Sequence, residues 1–191
     1  MPLIFITGGV RSGKSAFAES TARTLFHNEL QDEKRLVYVA SGVATDSEMT
    51  KRIMKHQRDR EQQSIEWHTI EAPVDLHAAC MHIKAGDIVL WDCVTTWLTN
   101  AFYEGFEQGN PCIAHSGCIE QKITEVQQEI TTLLTKNVQL IIVSNELFDE
   151  PTYVNDEVEK YRKLLGEIHQ WFVTTAQQAF EMDYGVVKRW K

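Results

Sequence analysis

Lys14 and Ser15 carry the most specific chemical signal in this chain. They close the run Gly8-Gly9-Val10-Arg11-Ser12-Gly13-Lys14-Ser15. Gly8, four residues, then Gly13-Lys14-Ser15 fits G-x-x-x-x-G-K-[ST], the phosphate-binding P-loop. Glycine tolerates positive φ, so successive backbone N–H groups can turn into one concavity and hold phosphate oxygens. A helix starting near Lys14 adds its positive N-terminal end. Lys14 can reach the β- and γ-phosphates of a nucleotide, and the Ser15 hydroxyl can ligate Mg²⁺. The context is right: the apolar run "LIFIT" precedes the loop and the helix-compatible "SAFAESTARTLF" follows it.

A P-loop needs an acidic partner at the end of a second buried strand, aimed at Mg²⁺ or its waters. Asp92 ends "IVLWD" and meets that need; capping of the following helix is the competing role. Asn145 and Glu146 follow "LIIVS" and can orient substrate, or simply cap. The stretch from Ala44 to Arg60 opens with Thr45 and Glu48, spaced as a capping box. Met49, Ile53 and His56 then share one helix face. A histidine on such a face is ordinarily structural. Here it stands among Lys51, Arg52, Lys55, Arg58 and Arg60, a basic cluster suited to a triphosphate. A solvated helix face is the alternative reading of that cluster.

The elements that must position these groups are readable from hydropathy. Near-continuous apolar runs at 3–7, 36–41, 87–92 and 138–144 read as buried parallel strands. Helix-compatible stretches lie at about 14–27, 46–61, 74–83, 93–105 and 116–136, with a long final helix expected at 155–181. The tail "YGVVKRWK" offers one short strand, and 105–117 reads as an exposed loop. Alternating strand and helix means an α/β fold, a mostly parallel sheet flanked by helices, with ligands along the carboxyl edge of the strands.

Bulk properties narrow the class. The 191 residues, 43% of them hydrophobic, suffice for one domain with a real core, taken as 1–191. A net charge of −8 argues against general nucleic-acid binding. No stretch is long enough to span a membrane. Met1-Pro2 leads directly into the first strand, so a cytoplasmic protein is expected. The four cysteines (Cys80, Cys93, Cys112 and Cys118) then imply no disulfide framework. The C-x-x-H-x-x-C run of Cys112, His115 and Cys118 lacks a fourth zinc ligand and reads as a reduced loop.

The motifs taken together resemble one family. After the P-loop come "YVAS", D-S-E-M-x-x-R-I-x-x-H, "WHTIEA", "DCVTTWLTN" and "VSNE". This order resembles the bifunctional adenosylcobinamide kinase/adenosylcobinamide-phosphate guanylyltransferases of cobalamin biosynthesis, over roughly residues 3–146. The resemblance implies two steps: phosphorylation of the aminopropanol hydroxyl of adenosylcobinamide by ATP or GTP, then transfer of GMP from GTP onto that phosphate. It implies a covalent guanylyl-histidine at His56. It carries nucleotide contacts onto Gly8 through Ser15, onto Ala40, Ser41 and Gly42, onto Gln57, Arg58, Asp59 and Arg60, and onto Glu71 and Asp92. A trimeric P-loop fold related to the RecA-like proteins comes with it. Without the family, the same residues would serve a kinase of another small substrate, or a nucleotide-binding regulator. Three departures stand out. Asp92 replaces a common glutamate, 147–151 lacks the usual glycines, and the usual apolar strand before a C-terminal glycine is not evident.

Overall fold

The computed structural model describes residues 3–28, 34–43, 50, 51, 54, 58, 60, 65–148 and 155–191. Its strands are β1 (Leu3–Gly8), β2 (Leu36–Ala40), β3 (Trp67–Glu71), β4 (Ile88–Asp92), β5 (Gln139–Val143), β6 (Gln178–Asp183) and β7 (Val186–Arg189). The helices are α1 (Lys14–Asn28), α2 (Leu76–Cys80), α3 (Val94–Tyr103), α4 (Cys118–Thr135) and α5 (Asp156–Thr175). They build one sheet in the order β3-β2-β4-β5-β1-β6-β7. Every neighbouring pair is parallel except β6 with β7. One strand, β5, separates the P-loop strand β1 from the Asp92 strand β4. This order is that of a mostly parallel α/β sheet with the loop and Asp92 at the same edge, two strands apart.

Strand alternation sorts the core into two layers. Leu3, Phe5, Val37, Val39, Val89, Trp91, Leu140 and Ile142 share one buried cluster with α3, α4 and α5. Ile4, Ile6, Leu36, Tyr38, Ile88, Leu90, Ile141 and Val143 share the other with Ala18 and Ala22 of α1. Because helices cover both faces, the central strands are apolar at nearly every position between their ends, which is why they read as unbroken runs.

Three expectations require correction. The final helix does not reach 181: it stops at Thr175, and Gln178–Asp183 pairs in parallel with β1. Only Ala179 and Met182 of β6 are fully buried, so its pattern is too weak to interrupt a helical reading. This strand precedes Gly185 and supplies what the sequence had appeared to lack. The second correction is β3, an unforeseen edge strand whose residues are exposed or half-buried and so form no apolar run. The third concerns Cys112 and Cys118, which are disulfide-bonded with Cα atoms 5.6 Å apart. A 3₁₀ turn at Cys112–Ala114 and left-handed Gly117 fold the intervening residues back, so the two thiols meet. Cys80 and Cys93 are free and buried.

Of the helix expected at 46–61, Thr50, Lys51, Met54, Arg58 and Arg60 are described, and all five are helical. Among the described residues no helix is long and apolar enough to cross a membrane.

His169 of α5 is buried in the first layer, its ring 5.2 Å from Phe5 and 5.5 Å from Phe148. Its Nε2 lies 2.7 Å from the Ser144 hydroxyl at the end of β5. Burial lowers its pKa from 6.5 to about 4. The unfolded chain therefore takes up a proton at higher pH than the folded one. Its stabilising contribution is full above pH 6.5 and is lost as pH falls toward about 4. Urea unfolding over that range is expected to show a loss of up to about 3 kcal/mol that is absent in His169→Gln. Equal pH slopes in the two proteins would show that the ring does not charge on unfolding.

Candidate functional site

The P-loop geometry follows from its glycines. Gly8 has φ 152° and Gly13 φ 93°, and Arg11 between them has φ 62°. A Cβ on Gly8 would stand 2.2 Å from the Met182 carbonyl oxygen and 2.8 Å from the Ser12 hydroxyl. No other residue fits there. The Ser12 amide donates to the Gly9 carbonyl at 3.2 Å and the Phe17 amide to that of Gly13 at 3.0 Å, which starts α1. Neighbouring elements brace the loop from two sides. The Glu146 amide donates to Gly8 at 2.9 Å and the Gly185 amide to Ser12 at 3.0 Å. Lys14 is largely buried, and its Nζ donates to the Gly9 carbonyl at 3.2 Å. The loop thus holds its lysine folded against its own backbone. Among the described residues, Ser12 Oγ and Thr7 Oγ1 are buried without a hydrogen-bond partner, and such hydroxyls are suited to an oxygen-rich ligand.

The parallel register brings the other expected residues to the same edge. Ala40 pairs with Glu71 on one side and Asp92 on the other, Asp92 with Val143, and Gly8 with Met182. Ser41 is fully buried. Its hydroxyl accepts from Trp91 Nε1 at 2.8 Å, its carbonyl accepts from Asn100 Nδ2 at 2.9 Å, and its amide donates to Asp92 at 3.1 Å. Its side chain therefore braces the β2–β4 junction. Gly42 is half-buried beside it, and Glu71 is exposed at the tip of β3. Asn145 Nδ2 donates to Thr95 Oγ1 at 2.8 Å, and Glu146 accepts from the Phe148 amide. His56, Gln57 and Asp59 lie outside the described residues.

Arg58 is exposed, whereas Arg60 is only 6% exposed. The Arg60 guanidinium lies 3.4 Å from Glu19 of α1 and 3.8 Å over the ring of Tyr38. The Tyr38 hydroxyl donates to Asp92 Oδ2 at 3.2 Å. Burial first, then the Asp92 charge, pushes the Tyr38 phenol well above its ordinary pKa, so it stays protonated and donates. Sequence reasoning missed Tyr38 and Glu19. Tyr38 stands within "YVAS", but nothing in its spacing marks its hydroxyl as a partner of Asp92.

Mg²⁺ prefers oxygen donors, keeps several waters and takes only one or two protein ligands beside substrate phosphates. Ser15 at the first turn of α1 and the half-buried Asp92 carboxylate are such donors. Among the described residues no group of three or more His, Cys, Asp or Glu side chains forms a protein-only cage. The donor set fits a magnesium nucleotide. A separate cavity of about 430 Å³, lined by Trp97, Glu104, Lys122 and Glu129 among others, lies between α2, α3 and α4, away from the P-loop.

Gly8 and Gly9 give a paired test of the loop. Gly8→Ala is expected to cost on the order of 3 kcal/mol of stability, because backbone must move. A Cβ on Gly9 would meet nothing within 4 Å, so Gly9→Ala should fold normally, and any loss should appear in phosphate binding alone. Thermal melts and calorimetry with ATP separate the two. Equal melting temperatures for both variants would contradict the close approach at Gly8.

Comparison with known proteins bears on this edge. The family model "Cobinamide kinase / cobinamide phosphate guanyltransferase" matches residues 4–189. The "Bifunctional adenosylcobalamin biosynthesis protein CobU" of Escherichia coli (strain K12) is 27% identical over 189 residues, covering 96% of this chain and 97% of that protein. Its counterpart from Salmonella typhimurium (strain LT2) is 25% identical over 186 residues, covering 96% and 97%. The "Bifunctional adenosylcobalamin biosynthesis protein CobP" of Pseudomonas aeruginosa is 38% identical over 96 residues, half of each chain. A crystal structure of the KaiC-like protein PH0186 from Pyrococcus horikoshii OT3 superposes with TM-score 0.48 at 12% identity, covering 98% of this chain and 76% of that one. With the family match running almost end to end, over residues 4–189, the chain belongs to the cobinamide kinase / cobinamide phosphate guanyltransferase family.

Proposed function

We propose that this protein phosphorylates adenosylcobinamide and then transfers GMP from GTP onto the product, with a guanylyl-histidine at His56 between the two halves of the second step. The observation that carries the reading is the braced P-loop facing Asp92 across β5, in a chain of this family. One domain, 1–191, serves both steps. The reading includes a homotrimer in the cytoplasm, as the resemblance implies, and Mg²⁺ with ATP or GTP as substrates.

In the kinase step the substrate hydroxyl oxygen attacks the γ-phosphorus, and the bond to the β–γ bridging oxygen breaks. The protein's task is positioning and charge neutralisation. The loop amides other than that of Ser12, which donates to Gly9, receive phosphate oxygens, and Lys14 turns from the Gly9 carbonyl toward them. Magnesium, when bound, withdraws charge from the same oxygens; Ser15 and Asp92 are the groups that would hold it or its waters.

In the second step a neutral imidazole nitrogen of His56 attacks the α-phosphorus of GTP and pyrophosphate leaves. The phosphate oxygen of adenosylcobinamide phosphate then attacks the same phosphorus and frees the histidine. Dividing the displacement makes each half easier, and nearby cations stabilise the leaving pyrophosphate.

GTP labelled at the α-phosphate should mark the wild-type protein at His56, with an acid-labile, base-stable bond. His56→Ala should lose the label and pyrophosphate release while keeping most of its phosphorylation of adenosylcobinamide. A label mapped to a lysine, or retained in His56→Ala, would overturn the assignment. Lys14→Ala should slow both steps by ~10²–10³, measured as turnover of ATP and GTP by the folded variant.

A further inference from the structure

Strand alternation turns the Asp92 side chain toward the face that carries α1. Leu90 and Ile88, two and four residues earlier on β4, pack in the layer that holds Ala18 and Ala22 of α1, and Asp92 continues their register. Tyr38 belongs to the same layer. It stands two residues before Ala40, the cross-strand partner of Asp92. An aromatic side chain is long enough to bridge such a diagonal, and the Tyr38 hydroxyl donates to Asp92 Oδ2 at 3.2 Å.

The ring that carries this hydroxyl is held on two sides. The Arg60 guanidinium lies 3.8 Å over it, and Trp67 of β3 meets it edge-on at 6.3 Å. Arg60 is set in turn by Glu19 of α1 at 3.4 Å. Phenylalanine would satisfy that packing equally well. The hydroxyl is the one polar atom of the side chain, and it is directed at a carboxylate on the ligand edge of the sheet. A partner fixed on a packed strand holds that carboxylate more firmly than a loop residue would.

We propose that Tyr38 is a positioning residue for magnesium binding: its hydroxyl holds Asp92 Oδ2, so that Oδ1 is the oxygen offered to the ion or its waters. This rests on the reading of Asp92 as the metal-side carboxylate of the P-loop. Carboxylates that bind metals are themselves hydrogen-bonded, and loss of that outer partner weakens metal binding roughly 10–100-fold. A hydroxyl that served the fold alone would change the melting temperature and leave the metal requirement as it was.

The test uses the full chain with ATP, binding being read by calorimetry in EDTA and at rising Mg²⁺. Tyr38→Phe keeps the ring and its contacts with Arg60 and Trp67. It should bind ATP in EDTA as the wild type does, yet need about 10-fold more Mg²⁺ to reach half of the metal-dependent gain in affinity. Asp92→Asn should raise the same midpoint, and adding Tyr38→Phe to it should raise it no further. An unmoved midpoint in Tyr38→Phe beside a raised one in Asp92→Asn would overturn the proposal. So would a full further rise in the double variant, or a loss of ATP affinity in EDTA as large as the loss in Mg²⁺. A midpoint unmoved by Asp92→Asn would remove the reading of Asp92 as the metal-side carboxylate, and the proposal with it.

Discussion

The close approach of β6 to Gly8 is the contact on which the site depends. A carbonyl oxygen occupies the place where any side chain at position 8 would begin. Parallel pairing sets that approach, because Gly8 and Met182 are opposite each other in the ladder. The same pairing delivers the Gly185 amide to Ser12, while β5 on the other flank delivers the Glu146 amide to Gly8. Both braces use backbone donors on loop carbonyls, so the loop's own amides remain directed elsewhere. An anion site made of backbone dipoles works only if its dipoles are fixed beforehand. Here the loop's glycines permit the shape, and the turn after the last parallel strand and the loop after β5 fix it.

A second constraint concerns charge. The chain carries a net charge of −8, yet its proposed substrates are polyanions. Several of its cations are also committed. Arg60 faces Glu19 and Tyr38, and Arg35 is paired with Asp87. The phosphate site must therefore draw on oriented amides, on Lys14, and on exposed cations such as Arg11 and Arg58. The Arg60 cluster has another use. It connects the helical residues around Arg58 to α1, the helix that starts at the P-loop, and through Tyr38 to the Asp92 carboxylate. A buried pair of this kind adds little net stability once desolvation is counted. It does fix which groups lie side by side. Asp92 has one carboxylate oxygen taken by Tyr38, which limits the orientations it can adopt.

The legible parts of the fold are those where burial writes itself into composition. β1, β2, β4 and β5 are covered on both faces, and their apolar runs announce them. α1 begins where the glycines of the loop end. Where burial is partial, the text is weaker. β3 sits at the sheet edge, and β6 carries Gln178, Glu181 and Asp183 with only Ala179 and Met182 fully inside. No glycine or proline separates β6 from α5, so a helical reading ran straight through the break at Ala176. The Cys112–Cys118 bridge depended on local backbone folding that residue types alone do not reveal. At the site the asymmetry is the same. Lys14, Ser15 and Asp92 are visible because their spacing and strand ends are diagnostic. Tyr38 and Glu19 are not, because their roles come from contacts between elements far apart in sequence.

Family membership and geometry also constrain each other. A P-loop by itself is compatible with many phosphoryl transfers, so it cannot select a substrate. The family match supplies that selection, but it leaves open how two reactions at different phosphorus atoms share one loop. The contacts of Arg60 bear on that question. Its guanidinium lies against Glu19 of α1, one turn beyond Ser15, and over Tyr38, whose hydroxyl donates to Asp92. The helix that starts at the phosphate loop, the strand that ends at Asp92 and this arginine of the basic segment are thereby fixed relative to one another, so any reaction that draws on the loop and on Asp92 does so with Arg60 held in a set place beside them.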